Sequence, residues 1–178
     1  QTMIYCDDID APAQNFCDNF IYGKYDDKNK IQEFTKVVDI ITYEFENIPY
    51  ETLNNINLSK PVLPKPSVNK LIQHRISEKD FINKLNIRTT RYAAIESKSD
   101  IEPLGDFLPG ILKTTTLGYD GKGQYPIRKI KEIESLNLDF SKGYILEKLV
   151  KLKKEISVII TRFGNNSYEI YEPIENTH

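Results

Sequence analysis

Three of the chain's eight glycines, Gly118, Gly121 and Gly123, fall within six residues, between two strand-like runs, Ile111–Thr115 and Tyr125–Arg128. Glycine reaches positive φ at no steric cost and lets backbone approach a ligand closely. The segment Gly118-Tyr119-Asp120-Gly121-Lys122-Gly123-Gln124 therefore reads as a loop joining two strands. Two readings of that loop are open. Asp120-Gly121 is a strong hairpin-turn dipeptide, so an ordinary hairpin satisfies the pattern. A strand–glycine loop–strand unit can equally lay backbone N–H groups over phosphates, with Lys113 just ahead of the loop and Lys122 inside it as cations. Asp120 suits a plain phosphate cradle poorly and points to a base or an amine partner. The loop is not a Walker A motif, because Gly123 and not Ser or Thr follows Gly121-Lys122. It is not the dinucleotide fingerprint either, because no third glycine opens a helix.

Upstream, strands and helices alternate. Met3–Cys6 and Phe20–Tyr22 read as strands. Asp27–Val38 reads as a helix whose Ile31, Phe34, Val37 and Val38 share a face, and Asp39–Phe45 reads as the next strand. Such alternation predicts a parallel α/β layer, in which ligands gather at the carboxyl ends of strands. Glu44 and Glu46 stand at such an end. Pro61, Pro64 and Pro66 predict an extended connector and a domain boundary. Two helices are expected next, the second capped by Ser77 with Asp80 three residues on, stapled by Ile76 and Phe81, and burying Phe81, Ile82 and Leu85. Thr90–Ile95 reads as a strand, Lys98–Phe107 as a short helix or loop, and Lys131–Leu136 as helical. Gly143–Val150, Glu155–Phe163 and Ser167–Tyr171 read as strands. The lysine-rich run Lys148–Lys154 reads as a solvated edge strand.

Composition excludes several classes. A net charge of −2 over 178 residues provides no field for steering nucleic acid. Two cysteines and two histidines provide neither a disulfide framework nor a metal cluster. No apolar run approaches a membrane span and no signal peptide is visible, so the cytoplasm is the default location.

Five segments in order resemble one family: Leu112-Lys113-Thr114, the glycine loop, Tyr43-Glu44-Phe45-Glu46-Asn47-Ile48-Pro49, the stretch Gln73–Leu85, and the terminal Glu175-Asn176-Thr177-His178. Together they look like 5-(carboxyamino)imidazole ribonucleotide synthase, the ATPase component of phosphoribosylaminoimidazole carboxylase, in the ATP-grasp superfamily. The resemblance implies an α/β fold with an α+β lid. Residues 1–63 would form an incomplete preATP-grasp domain with a Rossmann-like parallel sheet, 64–150 the ATP-grasp lid subdomain, and 151–178 the start of a C-terminal ATP-grasp subdomain. It implies a ligase that spends ATP to join bicarbonate to the amine of aminoimidazole ribonucleotide, through carboxyphosphate, in purine biosynthesis.

Residue by residue, the resemblance implies that Arg75 and Lys113 contact ATP phosphates and that Gly118, Tyr119, Asp120, Gly121, Lys122, Gly123 and Gln124 close over them. Glu147, Lys148, Leu149 and Val150 would hold adenine, mostly by backbone. Glu155 would bind the ribose hydroxyls, and His178 would approach the nucleotide. Asp120 would face the amine of the imidazole substrate as the catalytic carboxylate, and Glu44 or Glu46 would line the ribonucleotide pocket. Each has a plainer reading beside it. Arg75 can cap a helix or meet an acid. Lys113 can face solvent, and Glu147 can pair with Lys148 or Lys151. Glu155 can be the exposed acid of an amphipathic strand. The family's opening strand with its Gly-rich turn, and its magnesium ligands in the second ATP-grasp half, have no counterpart here. The expectation is therefore a fragment with no metal ligand of its own, either inactive alone or complemented by a C-terminal polypeptide, in a family commonly dimeric. A non-catalytic nucleotide-binding module and another ATP-grasp ligase are the alternatives.

Overall fold

A computed structural model describes residues 1–116 and 123–177. In the first part, β1 (Met3–Cys6) pairs in parallel with β2 (Asn19–Tyr22), Met3 opposite Asn19. The helix α1 (Lys28–Val37) follows. Asp27 caps it, accepting from the Asn29 and Lys30 amides at 3.0 Å each, the usual use of an Asp at that position. Phe34 is its buried residue, while Val37 of the expected apolar face is 63% exposed.

The strand expected over 39–45 contracts to β3 (Ile41–Thr42). Only those residues find a partner, β4 (Val62–Leu63), in parallel register, and the chain then turns into a helix that the sequence reading passed over, α2 (Tyr50–Asn57). The proline-rich connector is thus partly regular. It contains β4, and Pro66 opens α3 (Pro66–Ile72) at its first position, where a missing N–H costs nothing. The two parallel pairs share one core of Phe34, Ile41, Leu53, Ile56 and Val62, with Met3, Tyr5 and Ile21 packed on it. They are separate sheets. A cleft of about 760 Å³ is lined by residues 1–5, by 37–43 and by the helix side chains beneath.

The next helix, α4, is Arg75–Lys84, and its cap differs from expectation. His74 has extended backbone, and its Nδ1 accepts from the Ser77 N–H at 3.3 Å. The helix therefore starts two residues before Ser77, which sits inside the first turn. Asp80 accepts instead from the Tyr92 hydroxyl. Phe81 and Leu85 are 47% and 55% exposed, so they form no buried face.

Residues 85–148 build an antiparallel sheet from β5 (Tyr92–Ile95), β6 (Gly110–Thr114), β7 (Gln124–Ile127) and β8 (Tyr144–Lys148), in the order β5-β8-β6-β7. Two short 3-10 turns, Lys98–Asp100 and Glu102–Phe107, occupy 98–107, and α5 (Ile130–Glu134) follows β7. Strand alternation divides the sheet. Ile95, Leu112, Ile127, Tyr144 and Leu146 face a core with Ile101, Leu104 and Ile133. β8 is an inner strand, paired on both sides. The lysine-rich run is therefore not an edge strand: Lys148 ends β8, and residues 149–154 leave the sheet as exposed, non-strand chain.

The remaining residues form two exposed antiparallel pairs, β9 (Glu155–Ser157) with β12 (Ile174–Asn176) and β10 (Ile160–Arg162) with β11 (Tyr168–Ile170). The single strand expected over 155–163 is broken at 158–159, because its two halves pair with different partners. Among the described residues no helix is long and apolar enough to cross a membrane.

Candidate functional site

The strands β6 and β7 are the two arms of the glycine loop, paired from Gly110↔Ile127 to Lys113↔Gln124. The last backbone bond before the loop runs from the Thr114 N–H to the Gly123 carbonyl, 3.2 Å. Gly123 has φ of +69° and a Cβ there would lie 3.2 Å from Thr114 Oγ1, so glycine is needed to close the hairpin. Gln124 is the first residue of β7. Gly118, Tyr119, Asp120, Gly121 and Lys122, and also His178, lie outside the described residues.

At the loop's base, the N-terminus of α4 is tied to β6. The Arg75 N–H donates to the Thr115 carbonyl at 2.9 Å and its Nε to the Thr114 carbonyl at 3.2 Å. Thr115 is held in turn by Lys142 and Gly143, its hydroxyl donating to one carbonyl and its N–H to the other, at 3.1 Å each. Arg75 thus sits against the end of β6 rather than capping the preceding helix. Beside it lies a small polar pocket of about 70 Å³ lined by Glu46, Asn47, Gln73, Arg75, Glu78 and Thr115, among others. The Gln73 side chain donates to the Glu46 and Ile48 carbonyls at 2.7 and 2.6 Å, which fixes segment 43–49 next to Arg75. Glu46 therefore joins this group. Glu44 is exposed and does not line that pocket. Burial pushes the Glu78 carboxyl up, against the pull of Lys79 and Arg75, with Glu46 and Glu147 adding to the rise.

On the sheet face opposite the core, Lys113 points at Glu147. Its Nζ donates to Glu147 Oε2 at 2.8 Å. Lys79, from α4, lies 3.1 Å from Glu147 Oε1. The three side chains are 17%, 10% and 16% exposed for Lys113, Glu147 and Lys79. Burial acts to raise the Glu147 carboxyl, but the hydrogen bond and charge of Lys113, then those of Lys79, outweigh it and hold it below the usual glutamate value. Glu147 does not pair with Lys148 or Lys151. Lys148 points away on the alternate face, its Nζ donating to the Asp106 carbonyl at 2.8 Å.

Sequence reasoning missed Lys79. The available signal was its spacing: four residues after Arg75 on one helix, it shares a face with that cation.

Past β8, the Lys148 N–H donates to the Arg91 carbonyl at 2.8 Å and the Leu149 N–H to the Pro109 carbonyl at 2.9 Å. The Lys148 carbonyl accepts from the Thr90 hydroxyl at 2.7 Å. Those backbone groups are therefore engaged within the protein. Glu155 Oε1 accepts from Asn176 Nδ2 at 3.0 Å, on the outer pair β9–β12. The site thus assembles Arg75, Lys113, Glu147 and Glu46 around the loop base, with Gly123 and Gln124 at its far arm. Two cations at one edge of the sheet suit an anionic ligand.

The chain belongs to the ATP-grasp family: the ATP-grasp domain model matches residues 80–178, preceded by the ribonucleotide synthetase preATP-grasp domain over 1–73. Its relatives within the family are N5-carboxyaminoimidazole ribonucleotide synthases. That of Brucella melitensis is 33% identical over 183 residues, covering 100% of this chain and 51% of the relative. The Staphylococcus aureus synthetase complexed with ADP superposes over 99% of this chain and 48% of its own, with TM-score 0.91 and 30% identity. A bifunctional purine synthesis protein purC/E of Dictyostelium discoideum is 32% identical over 187 residues, with 19% of its length covered. The chain spans about half the length of the curated synthases it matches, 51% and 46% for two of them.

Proposed function

We propose that the protein bearing this chain carboxylates 5-aminoimidazole ribonucleotide with bicarbonate at the expense of ATP, giving N5-carboxyaminoimidazole ribonucleotide, ADP and phosphate, in the purine pathway of the cytoplasm. One observation carries the reading: the match to the ADP-complexed synthetase runs through 99% of this chain, at 30% identity and TM-score 0.91. It includes the preATP-grasp part, whose matching model is that of ribonucleotide synthetases.

In this reading residues 1–63 serve the ribonucleotide, 64–150 form the lid, and 151–178 begin the last subdomain. Arg75 and Lys113 neutralise the polyphosphate, and the loop 118–124 excludes water from activated bicarbonate, the condition under which fixed charges act most strongly. Asp120 accepts the amine proton of the imidazole. The Leu149 carbonyl and the Val150 N–H meet the adenine edge, Glu155 the ribose hydroxyls and His178 the nucleotide. Glu46, near Arg75, is the better supported of the two candidate ribonucleotide carboxylates. In this reading magnesium accompanies ATP; among the described residues no three His, Cys, Asp or Glu side chains converge as a metal site. Assembly as a homodimer, or with a polypeptide supplying a C-terminal half, belongs to the same proposal, and light scattering of the purified protein tests it.

The decisive assay is ADP release as a function of bicarbonate and aminoimidazole ribonucleotide. Release should require both, fall roughly 10²-fold in Lys113→Met, and fall in Asp120→Asn. ADP release indifferent to the ribonucleotide would sink the proposal, and an unaffected Asp120→Asn would remove Asp120 from its role.

A further inference from the structure

Glu147 has one carboxylate and two lysines on it. Oε1 takes Lys79 at 3.1 Å and Oε2 takes Lys113 at 2.8 Å. The two lysines are not equivalent. Lys113 stands on β6 next to Thr114, where the backbone closes the glycine loop. Lys79 stands a full strand away, on α4, with its ammonium 5.7 Å from the centre of the Tyr92 ring, close enough for a cation–π contact. Tyr92 is directly opposite Glu147 in the β5–β8 register. Its hydroxyl is bonded to Asp80 of the same helix. Lys79 is therefore held in place by α4 and β5 together, and Lys113 is the lysine beside the loop.

A phosphate group bound by Lys113 must compete with Glu147 for its ammonium. A carboxylate only 10% exposed resists being left without a cation, because burial penalises its charged form. We propose that Lys79 is the counter-cation that makes Lys113 available: it stays on Glu147 when Lys113 turns to the phosphates of a nucleotide. It is a positioning residue, acting through Glu147, and touches no phosphate itself. The inference deepens the nucleotide reading above and rests on it.

The test is a double-mutant cycle on the full-length protein, read as affinity for ATP and, separately, for adenosine, which has no phosphate. Lys79→Met should weaken ATP binding about tenfold or more while adenosine affinity stays within about twofold, and Lys79→Arg should retain ATP affinity. In a Glu147→Gln background the carboxylate no longer holds Lys113, so adding Lys79→Met should change ATP affinity by less than about twofold. A loss that persists undiminished in that background means that Lys79 acts on the phosphate directly and overturns the proposal. Equal weakening of ATP and adenosine means a merely structural lysine and also overturns it, as does ATP affinity unchanged by Lys79→Met. Wild-type protein that binds no ATP overturns the nucleotide reading, and this inference falls with it. Wild-type binding that Lys79→Met leaves untouched overturns this inference alone.

Discussion

Lys113 and Glu147 are 34 residues apart in the chain and 2.8 Å apart in space, ammonium to carboxylate. They are diagonal neighbours on one face of an antiparallel pair: Glu147 lies opposite Ile111 and Lys113 opposite Ile145. Long side chains reach across that diagonal, and Lys79 closes the other side of the carboxylate.

Glu147→Gln removes the charge that both ammoniums share and leaves two largely covered cations facing a neutral amide. Unfolding free energy should drop by about 1–3 kcal/mol, below the loss for a fully enclosed pair because both lysines retain some solvent. Urea unfolding of wild type and variant measures it.

The same substitution predicts a pH dependence. The Glu147 carboxyl is held below its ordinary value of 4.5 in the folded chain. Its contribution is then fully present above that ordinary value, and is lost as pH falls through the lower folded one. The stability gap between wild type and Glu147→Gln should therefore be constant from neutrality to mildly acidic pH and close at lower pH. A gap that stays open in strong acid would show that the charge is not its source.

Gly110→Ala should be severe although φ at Gly110 is not positive. A Cβ there would lie 2.7 Å from the Phe107 carbonyl oxygen and 2.8 Å from that of Glu147, both backbone. The strand must shift away from β8, so a loss of about 2 kcal/mol or more is expected, as for overpacking. Thermal unfolding reads the shift, and a Tm equal to wild type would refute it.

Leu146→Ala should cost about 2–5 kcal/mol, since Leu146 is fully covered at the centre of the core beneath the sheet. Leu152→Ala, with Leu152 67% exposed, should cost within about 0.5 kcal/mol. Equal losses at the two positions would contradict the assignment of the core.

His74→Ala removes the acceptor of the Ser77 N–H and should lower stability by roughly 0.5–1 kcal/mol, whereas Ser77→Ala should cost less than that. The reverse order would restore Ser77 as the cap. Denaturant midpoints of the two variants decide it.

Much of the fold could be read locally. Asp27 and the apolar spacing of Ile31 and Phe34 specify α1, because cap and face lie within one helix. Gly123 marks where β7 turns back onto β6, because its positive φ is a property of one residue. What failed depended on partners far along the chain. β3 is short because only β4 pairs with it, and β4 was hidden among prolines. The cap of α4 is an exception: His74 bonds Ser77, only three residues on. Lys148 ends an inner strand, because β5 and β6 flank β8, and the rest of the lysine run leaves the sheet, which no window of sequence reveals.

The site divides in the same way. Sequence by itself singled out Lys113, just ahead of the glycine loop, whereas Arg75 and Glu147 were named only through the family resemblance. Tertiary structure decided which of them meet. It set Glu147 between Lys113 and Lys79 rather than against its sequence neighbours, and put Glu46, itself exposed, on the small pocket beside Arg75, which Glu44 does not line. Adjacent strand residues point to opposite faces, and charges select partners by distance in space, so ion pairing is settled only when strands and helix come together.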